Sequence, residues 1–195
     1  NGSPLLILLF IFIAMCPTMA CASEDNATMI TIIDSANRSV ELPYPVKSIV
    51  VMNSCAPSEI IALGAGDKII GIEQDTKKKV DKGFLPSLAD LPVAGSQWEP
   101  NYEAITQLKP DLVITLSGGW KPEPNEVQER LDPFGIKVVG LDFYRMDVWQ
   151  DEIRILGKIL GKEAESEDYI DHFRNKIDLI ENKTGTLSKE QQKKV

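Results

Sequence analysis

Short apolar runs that alternate with helix-like stretches restrict the fold of this chain more than any other feature. Residues 47–52, 69–72, 111–116 and 137–141 form such runs, and they are rich in Val, Ile and Leu. Strands buried on both faces have this composition, and parallel strands need crossover connections between them. The sequence therefore predicts the α/β class, with a Rossmann-like parallel sheet and crossover helices.

Local signals predict the elements around this sheet. Residues 29–33 and 40–42 predict a small hairpin at its edge, and residues 93–94 predict a short strand. Helices are predicted where Pro or Asn begins a segment and Gly or Pro ends it, over 57–64, 101–109 and 126–134. Lysines at 77–79 predict a charged, solvated connection. Apolar residues at helical spacing over 153–180 predict one long, nearly continuous helical segment, interrupted only at Gly161.

Composition excludes several functional classes. The 195 residues are 43% hydrophobic, enough for one to one and a half domains with a buried core. With 29 acidic residues against 21 basic ones, the net charge of −8 argues against a nucleic-acid partner. Three cysteines and one histidine argue against a disulfide scaffold and against a dedicated zinc site.

The first 22 residues have the pattern of an export signal. An uncharged apolar run is followed by Pro17 and by the small residues Ala20, Cys21 and Ala22. The run is shorter than the roughly 20 residues that a membrane span needs. Cleavage after Ala22 would give simple secretion, whereas cleavage before Cys21 would leave a cysteine for a lipid anchor. Both alternatives predict a mature protein outside the cytoplasm, in the periplasm or at the cell surface.

Polar and aromatic residues that follow the predicted strands are the candidate ligand-binding residues. Ligands of open parallel sheets bind beyond the carboxyl ends of the strands. The residues in these positions are Asn53, Gln97, Trp98, Trp120, Tyr144 and Arg145. Together the aromatic side chains favour a binding rim, although a loop tryptophan is more often a cover over the core. Arg145 is either a solvated charge or a partner for a ligand carboxylate or phenolate.

Catalysis and cofactor binding have no support in these residues. The single histidine, His172, is predicted on the polar side of the final helix. No serine or cysteine lies in a recognisable nucleophile elbow. We therefore predict no catalytic residues, no metal ligands, no cofactor and no enzymatic activity.

Several stretches together resemble a known family. They are residues 34–35, 40–43 and 47–50, the segment PSEIIALGAGDKIIG at 57–71, and NYEAI at 101–105 with LKPDLV at 108–113. These segments are similar to those of the substrate-binding proteins of ABC importers for ferric siderophores, haem or cobalamin. The resemblance covers most of the chain after residue 22.

The resemblance implies two lobes joined by a long rigid helix, with the ligand held between them. Residues 23–147 would be the N-terminal ligand-binding lobe, 148–183 the interlobe helix, and 184–195 the start of a second lobe. Glu103 occupies the position that pairs with arginines of the ABC permease, and Trp98 and Trp120 fall in ligand-lining loops. Lys121 and Arg145 are the cations expected near the rim.

The implied function is capture of an iron siderophore complex, haem or cobalamin by a monomeric protein that delivers it to an importer. Two alternatives remain open at this point. One is a receptor for a bare metal ion, which the single histidine disfavours. The other is an exported α/β transferase whose catalytic half lies beyond the sequence in hand.

Overall fold

The computed structural model of the protein describes residues 28–185. The predicted signal at 1–22, Cys21 and residues 186–195 lie outside the described residues. In chain order the elements are β1 (Thr28–Ile33), β2 (Ser39–Tyr44), β3 (Ile49–Val51), α1 (Ala56–Ala62), β4 (Ile69–Ile72), α2 (Gln74–Asp81), α3 (Tyr102–Leu108), β5 (Leu112–Thr115), α4 (Pro124–Leu131), β6 (Lys137–Gly140), α5 (Trp149–Leu160) and α6 (Glu163–Thr184).

The predicted parallel sheet is present and forms the centre of the molecule. Its four strands lie in the order β4, β3, β5, β6, and every pairing is parallel. All residues of β3 and β5 are buried, as their continuous runs of Val, Ile and Leu require. The α/β class with crossover helices is therefore confirmed. Residues 93–94 contribute a single bridge, from Val93 to Ile72 of the edge strand β4.

The β1–β2 hairpin lies at the opposite edge, as predicted, and Asp34 attaches it there. The Asp34 carboxylate accepts hydrogen bonds from the N–H groups of Ala36 and Arg38 inside the turn, at 3.0 and 2.9 Å. It also accepts one from the N–H of Gly140 in β6, at 2.9 Å. The Arg38 guanidinium forms an ion pair with this buried carboxylate at 2.6 Å. One side chain thus shapes the turn and holds it against the edge strand.

The lysines at residues 77–79, predicted as a charged, solvated connection, lie in helix α2, which was not predicted. Lys78 is exposed, and Lys77 and Lys79 are half-buried. The helix begins at Glu73, whose buried carboxylate accepts hydrogen bonds from the N–H groups of Asp75 and Thr76. Thr76 and Val80 form its buried face. Two buried positions in eight residues are a weak periodic signal, and the side-chain cap supplies the helix start that the sequence analysis missed.

The prediction of one long, nearly continuous helix over 153–180 is wrong. Gly161 ends α5 with φ +67°, in the left-handed region, and the chain then reverses into α6. Trp149 at the start of α5 packs on Tyr169 and Phe173 of α6, with ring centroids 5.5 and 4.6 Å away. The two helices are therefore antiparallel neighbours. The role of residues 148–183 as an interlobe helix stays a prediction.

Close contact between α5 and α6 leads to a stability prediction. A Cβ at Gly157 would lie 2.6 and 2.7 Å from the Oγ and Cβ of Ser166, and 3.0 Å from the Lys162 carbonyl oxygen. Gly157→Ala should therefore lower the free energy of unfolding by about 1–3 kcal/mol, the usual cost of overpacking. Urea denaturation measures this loss.

The matched control is the same substitution in a Ser166→Gly background. Removing both Ser166 atoms should make the added methyl group less costly, so the double-mutant cycle should show a favourable coupling. An equal cost of Gly157→Ala in both backgrounds would contradict the contact.

Candidate functional site

The carboxyl ends of the parallel strands bring Trp98 and Trp120 into contact. Their ring centroids are 5.5 Å apart, and the ring planes are tilted by 57°. Trp98 remains 46% exposed and Trp120 remains 50% exposed, so each ring has a free surface. Two loops that are far apart in sequence thus form one exposed aromatic surface.

The position of Trp98 depends on a tight loop between residues 95 and 100. Gly95 has φ +96° and forms an antiparallel bridge with Pro100. A Cβ at Gly95 would lie 2.6 Å from the backbone nitrogen of Asn101, so only glycine fits. Gln97 in the same loop is buried, and its Oε1 atom has no hydrogen-bond partner among the described residues.

Tyr144 links the loops that follow β3 and β6. Its hydroxyl lies 2.9 Å from the Oγ of Ser54, while the ring remains exposed. Burial raises the pKa of Tyr144 above its usual value, although the hydrogen bond with Ser54 acts in the opposite direction. The phenol is therefore neutral near pH 7, and it offers both a hydrogen-bond donor and an acceptor.

Asn53 lies beneath these loops and is fully buried. Its Nδ2 donates to the carbonyl oxygen of Leu141 at 2.6 Å, and its Oδ1 accepts from the N–H of Cys55 at 2.9 Å. Its amide is therefore committed to the backbone of two loops. Asn53 can therefore affect binding by positioning these loops.

The two cations expected near the rim are both paired. The Arg145 guanidinium contacts the Asp147 carboxylate at 2.8 Å, and this hydrogen bond raises the pKa of Arg145. Lys121 contacts Glu126 at 2.5 Å, which raises the pKa of Lys121 and lowers that of Glu126. All four side chains are exposed. This edge of the sheet therefore presents aromatic surface with little uncompensated positive charge.

A cavity of about 280 Å³ lies beside the rim. It is bounded by the hairpin turn, the ends of β5 and β6, and the first half of α5. The lining residues that matter below are Asp34, Ser117, Asp142, Arg145, Asp151 and Glu152. The tryptophan pair does not line this cavity, so the cavity and the aromatic surface are neighbouring features.

Glu152 organises the end of β6, and it was not among the residues predicted from the sequence. Its carboxylate is buried and accepts hydrogen bonds from the N–H groups of Asp142 and Phe143, at 2.7 and 2.6 Å. It also accepts one from the Ser35 hydroxyl in the hairpin turn. The available signal was an acidic residue on the apolar face of an amphipathic helix, beside Ile153 and one turn before Leu156.

The described residues contain no cluster of three or more His, Cys, Asp or Glu side chains that could hold a metal ion. Cys55 is a free, half-exposed thiol, and His172 is exposed on α6. Within residues 28–185, none of the helices is long and apolar enough to cross a membrane.

The sequence of this chain matches a known protein family. A family model described as periplasmic binding protein matches residues 49–195. The chain belongs to the periplasmic binding protein family. The resemblance stated from the sequence motifs is thereby confirmed at the level of the family.

Two curated relatives come from Bacillus subtilis. The uncharacterized ABC transporter substrate-binding lipoprotein YvrC is 24% identical over 97% of this chain and 60% of its own length. The probable siderophore-binding lipoprotein YfiY is 25% identical over 91% of this chain and 55% of its own length. The chain thus spans about half to three fifths of these relatives. Both names describe binding and transport, which agrees with the prediction of no enzymatic activity.

Among solved structures, a periplasmic solute binding protein from Veillonella parvula superposes with a TM-score of 0.71 and 25% identity. The superposition covers 83% of this chain and 50% of the other. The fold described above is therefore that of a solute-binding protein over about half of that protein's length.

The Glu152 network leads to a stability prediction. Glu152→Ala leaves the N–H groups of Asp142 and Phe143 without an acceptor, and each unpaired buried group costs about 1–3 kcal/mol. We expect the free energy of unfolding to fall by about 2–4 kcal/mol in urea denaturation. The neighbouring Asp151→Ala is the control, because this exposed side chain should change stability by no more than about 0.5 kcal/mol. Similar losses in both variants would contradict the network.

Proposed function

We propose that this protein is an extracytoplasmic solute-binding protein that captures an iron siderophore complex and delivers it to an ABC importer. Haem and cobalamin, which are also metal complexes with apolar surface, remain within the proposal. The observation that carries it is the exposed contact of Trp98 with Trp120 at the carboxyl edge of a periplasmic-binding-protein fold. The name of the relative YfiY agrees with a siderophore as cargo.

The geometry of the tryptophan pair suits a broad, partly apolar ligand. A tryptophan can bury about 150–250 Å² of surface, and its flat face stacks on conjugated or apolar groups. Because the ring planes are tilted by 57°, the two rings form an angle and not a flat wall. A rounded metal complex or the edge of a macrocycle can contact both rings in such an angle.

The polar residues of the rim would supply orientation. Tyr144 offers a neutral hydroxyl, and Gln97 contributes a buried carbonyl oxygen that has no donor within residues 28–185. Arg145 can contact an acidic ligand group by exchanging its exposed partner Asp147, since exposed ion pairs contribute only about 0–1 kcal/mol. Asn53 connects the loop after β3 to the end of β6, from which the loop with Tyr144 and Arg145 follows.

The two alternatives receive no support from a specific observation. A bare metal ion would need converging ligands, and residues 28–185 offer no group of three. A transferase would need catalytic groups, whereas the two curated relatives are named for binding.

Export and docking complete the proposal. We propose that residues 1–22 direct export and that Cys21 carries a lipid anchor, as the lipoprotein name of YvrC suggests for that relative.

Glu103 is proposed to face the permease, because it is exposed in the first turn of α3. Asn101 fixes the start of this helix by accepting the N–H of Ala104 at 3.1 Å. The protein is expected to act as a monomer.

Tryptophan fluorescence tests the ligand site. The full-length protein, with both lobes and without residues 1–22, is titrated with a ferric hydroxamate, a ferric catecholate, haem and cobalamin. One of them should quench the emission saturably, and Trp98→Ala or Trp120→Ala should weaken binding by about tenfold, the loss of roughly one well-packed aromatic contact. Trp149 is buried, so Trp149→Phe removes its background emission.

Phe134→Ala is the matched control, because Phe134 is an exposed aromatic residue that precedes β6 at the opposite edge of the sheet. It should leave the affinity unchanged. If none of the four ligands binds, the proposed cargo class is wrong. If one binds with equal affinity to all variants, the tryptophan pair is not the site.

Reversing the charge at Glu103 tests docking. Glu103→Arg should reduce importer-dependent uptake of the cargo while its affinity for the soluble protein stays unchanged, because docking charges mainly orient the encounter. Glu129→Arg is the control, since Glu129 is also exposed but lies on α4. Unchanged uptake in Glu103→Arg, or an equal reduction in both variants, would exclude the docking role.

A further inference from the structure

Asp142 lines the cavity beside the rim with a buried carboxylate oxygen that has no hydrogen-bond partner among residues 28–185. Asp142 is 5% exposed, and the oxygen concerned is Oδ1. Ser117 is fully buried on the adjacent strand end, and its hydroxyl in this cavity also has no partner in the part of the chain that the structure describes. Burying a carboxylate without a donor is costly, so this arrangement favours a ligand that supplies one.

The other charged residues that line the cavity already have partners. Asp34 binds Arg38, Arg145 binds Asp147, Asp151 binds Arg154, and Glu152 accepts two backbone N–H groups. The partners of Asp34 and Glu152 are part of the fold, as described above. The charge of Asp142 contributes to the raised pKa of Arg145, but the ion pair of Arg145 is with Asp147. Within residues 28–185, Asp142 is therefore the charged group of this lining that has no ion pair or hydrogen bond of its own and is left for a ligand.

The remaining walls of the cavity are apolar. Ile33, Val148 and Ile155 line it, and its volume of about 280 Å³ is near the lower end of the range for small-molecule pockets. A short alkyl group fits such walls. The cavity thus combines a buried anionic acceptor, a hydroxyl and a small apolar surface.

We propose that this cavity binds a protonated primary amine on a short alkyl chain, with the ammonium donating to Asp142 and Ser117. An ammonium carries three donors and one positive charge, which matches one carboxylate and one hydroxyl. A metal ion is a poorer match, because the described residues offer no group of three ligands. An anion would be repelled by Asp142.

The amine can belong to the cargo or to a separate small molecule. If the amine belongs to the cargo, the inference rests on the proposed function. The cavity would then bind a basic group of the cargo beside the aromatic surface. The test therefore uses a simple amine first, whose binding does not depend on any iron complex.

The first experiment titrates the full-length protein without residues 1–22 with three probes of similar size: pentylammonium, pentan-1-ol and pentanoate. Amide proton and nitrogen shifts are followed by NMR. Pentylammonium should shift the amides of Gly118 and Asp142 saturably, and pentan-1-ol should bind about tenfold more weakly, because a charged hydrogen bond is stronger. Pentanoate should cause no saturable shift. Binding of pentan-1-ol or pentanoate as tight as that of pentylammonium, or no saturable shift with pentylammonium, would overturn the proposal.

Two variants separate direct contact from general electrostatics. Asp142→Asn should weaken pentylammonium binding by about tenfold or more, and Ser117→Ala should weaken it by a smaller factor. Asp151→Asn removes the same charge from the exposed edge of the cavity and should change the affinity by less than about twofold. Equal affinities in Asp142→Asn and the unmodified protein would overturn the proposal. Thermal unfolding checks that Asp142→Asn folds, since it removes an unpaired buried charge and should not lower the midpoint.

A second pair of probes identifies the source of the amine. Ferrioxamine B, a ferric trihydroxamate with a free terminal ammonium, is compared with its N-acetylated form. A preference of about tenfold for the free ammonium that Asp142→Asn abolishes supports an amine of the cargo. Equal affinity for both complexes, with pentylammonium still bound, supports a separate small amine. If neither complex binds while pentylammonium does, the cavity inference stands and the hydroxamate form of the proposed function fails.

Discussion

The carboxyl edge of the sheet depends on the hydrogen bonds that the buried carboxylate of Glu152 accepts. This carboxylate accepts N–H groups of Asp142 and Phe143 where β6 ends, and the hydroxyl of Ser35 in the hairpin turn. One residue of α5 therefore connects three parts of the chain. Because buried N–H groups must have acceptors, the loop after β6 has little freedom once α5 has packed. The position of Tyr144 and Arg145 follows from that constraint.

Asp34 and Asn53 apply the same principle at other points. Asp34 binds the hairpin turn to Gly140 of β6, and Asn53 binds the loop after β3 to Leu141. The loop after β3 and the loop after β6 are thus held by side chains beneath them. Exposed residues that follow these strands, such as Tyr144 and Arg145, can then change without disturbing the fold. This division is one physical reason why a single fold can serve proteins with different ligands.

The charges of the site, and the acceptors that are unpaired within residues 28–185, favour a ligand that carries hydrogen-bond donors. Arg145 and Lys121 are neutralised by adjacent carboxylates, while the acceptors Gln97 Oε1 and Asp142 Oδ1 have no donors among the described residues. Such a surface suits a ligand that offers donors and apolar area better than one with several negative charges. Aromatic contact would then supply much of the affinity, and the buried acceptors would supply selectivity, because an unsatisfied acceptor penalises a ligand that lacks the donor.

Local sequence was enough to predict the class of fold, the alternation of strands and helices along the chain, and the family resemblance. The apolar runs at 49–51 and 112–115 are typical of strands buried on both faces, which is the usual composition in a parallel sheet with crossover helices. The placement of aromatic residues after strand ends also indicated which edge to examine.

Tertiary structure decided the features that depend on contacts between distant residues. Helix α2 needed the Glu73 cap, and α5 with α6 needed the reversal at Gly161, neither of which a periodic pattern distinguishes from its alternative. The burial of Asn53 and the pairing of Arg145 with Asp147 were likewise not evident beforehand. The same holds for the Oδ1 atom of Asp142, which has no partner among the described residues. The type of a residue limits which hydrogen bonds its side chain can make. The packing of the chain then selects which donors and acceptors lie within hydrogen-bond distance.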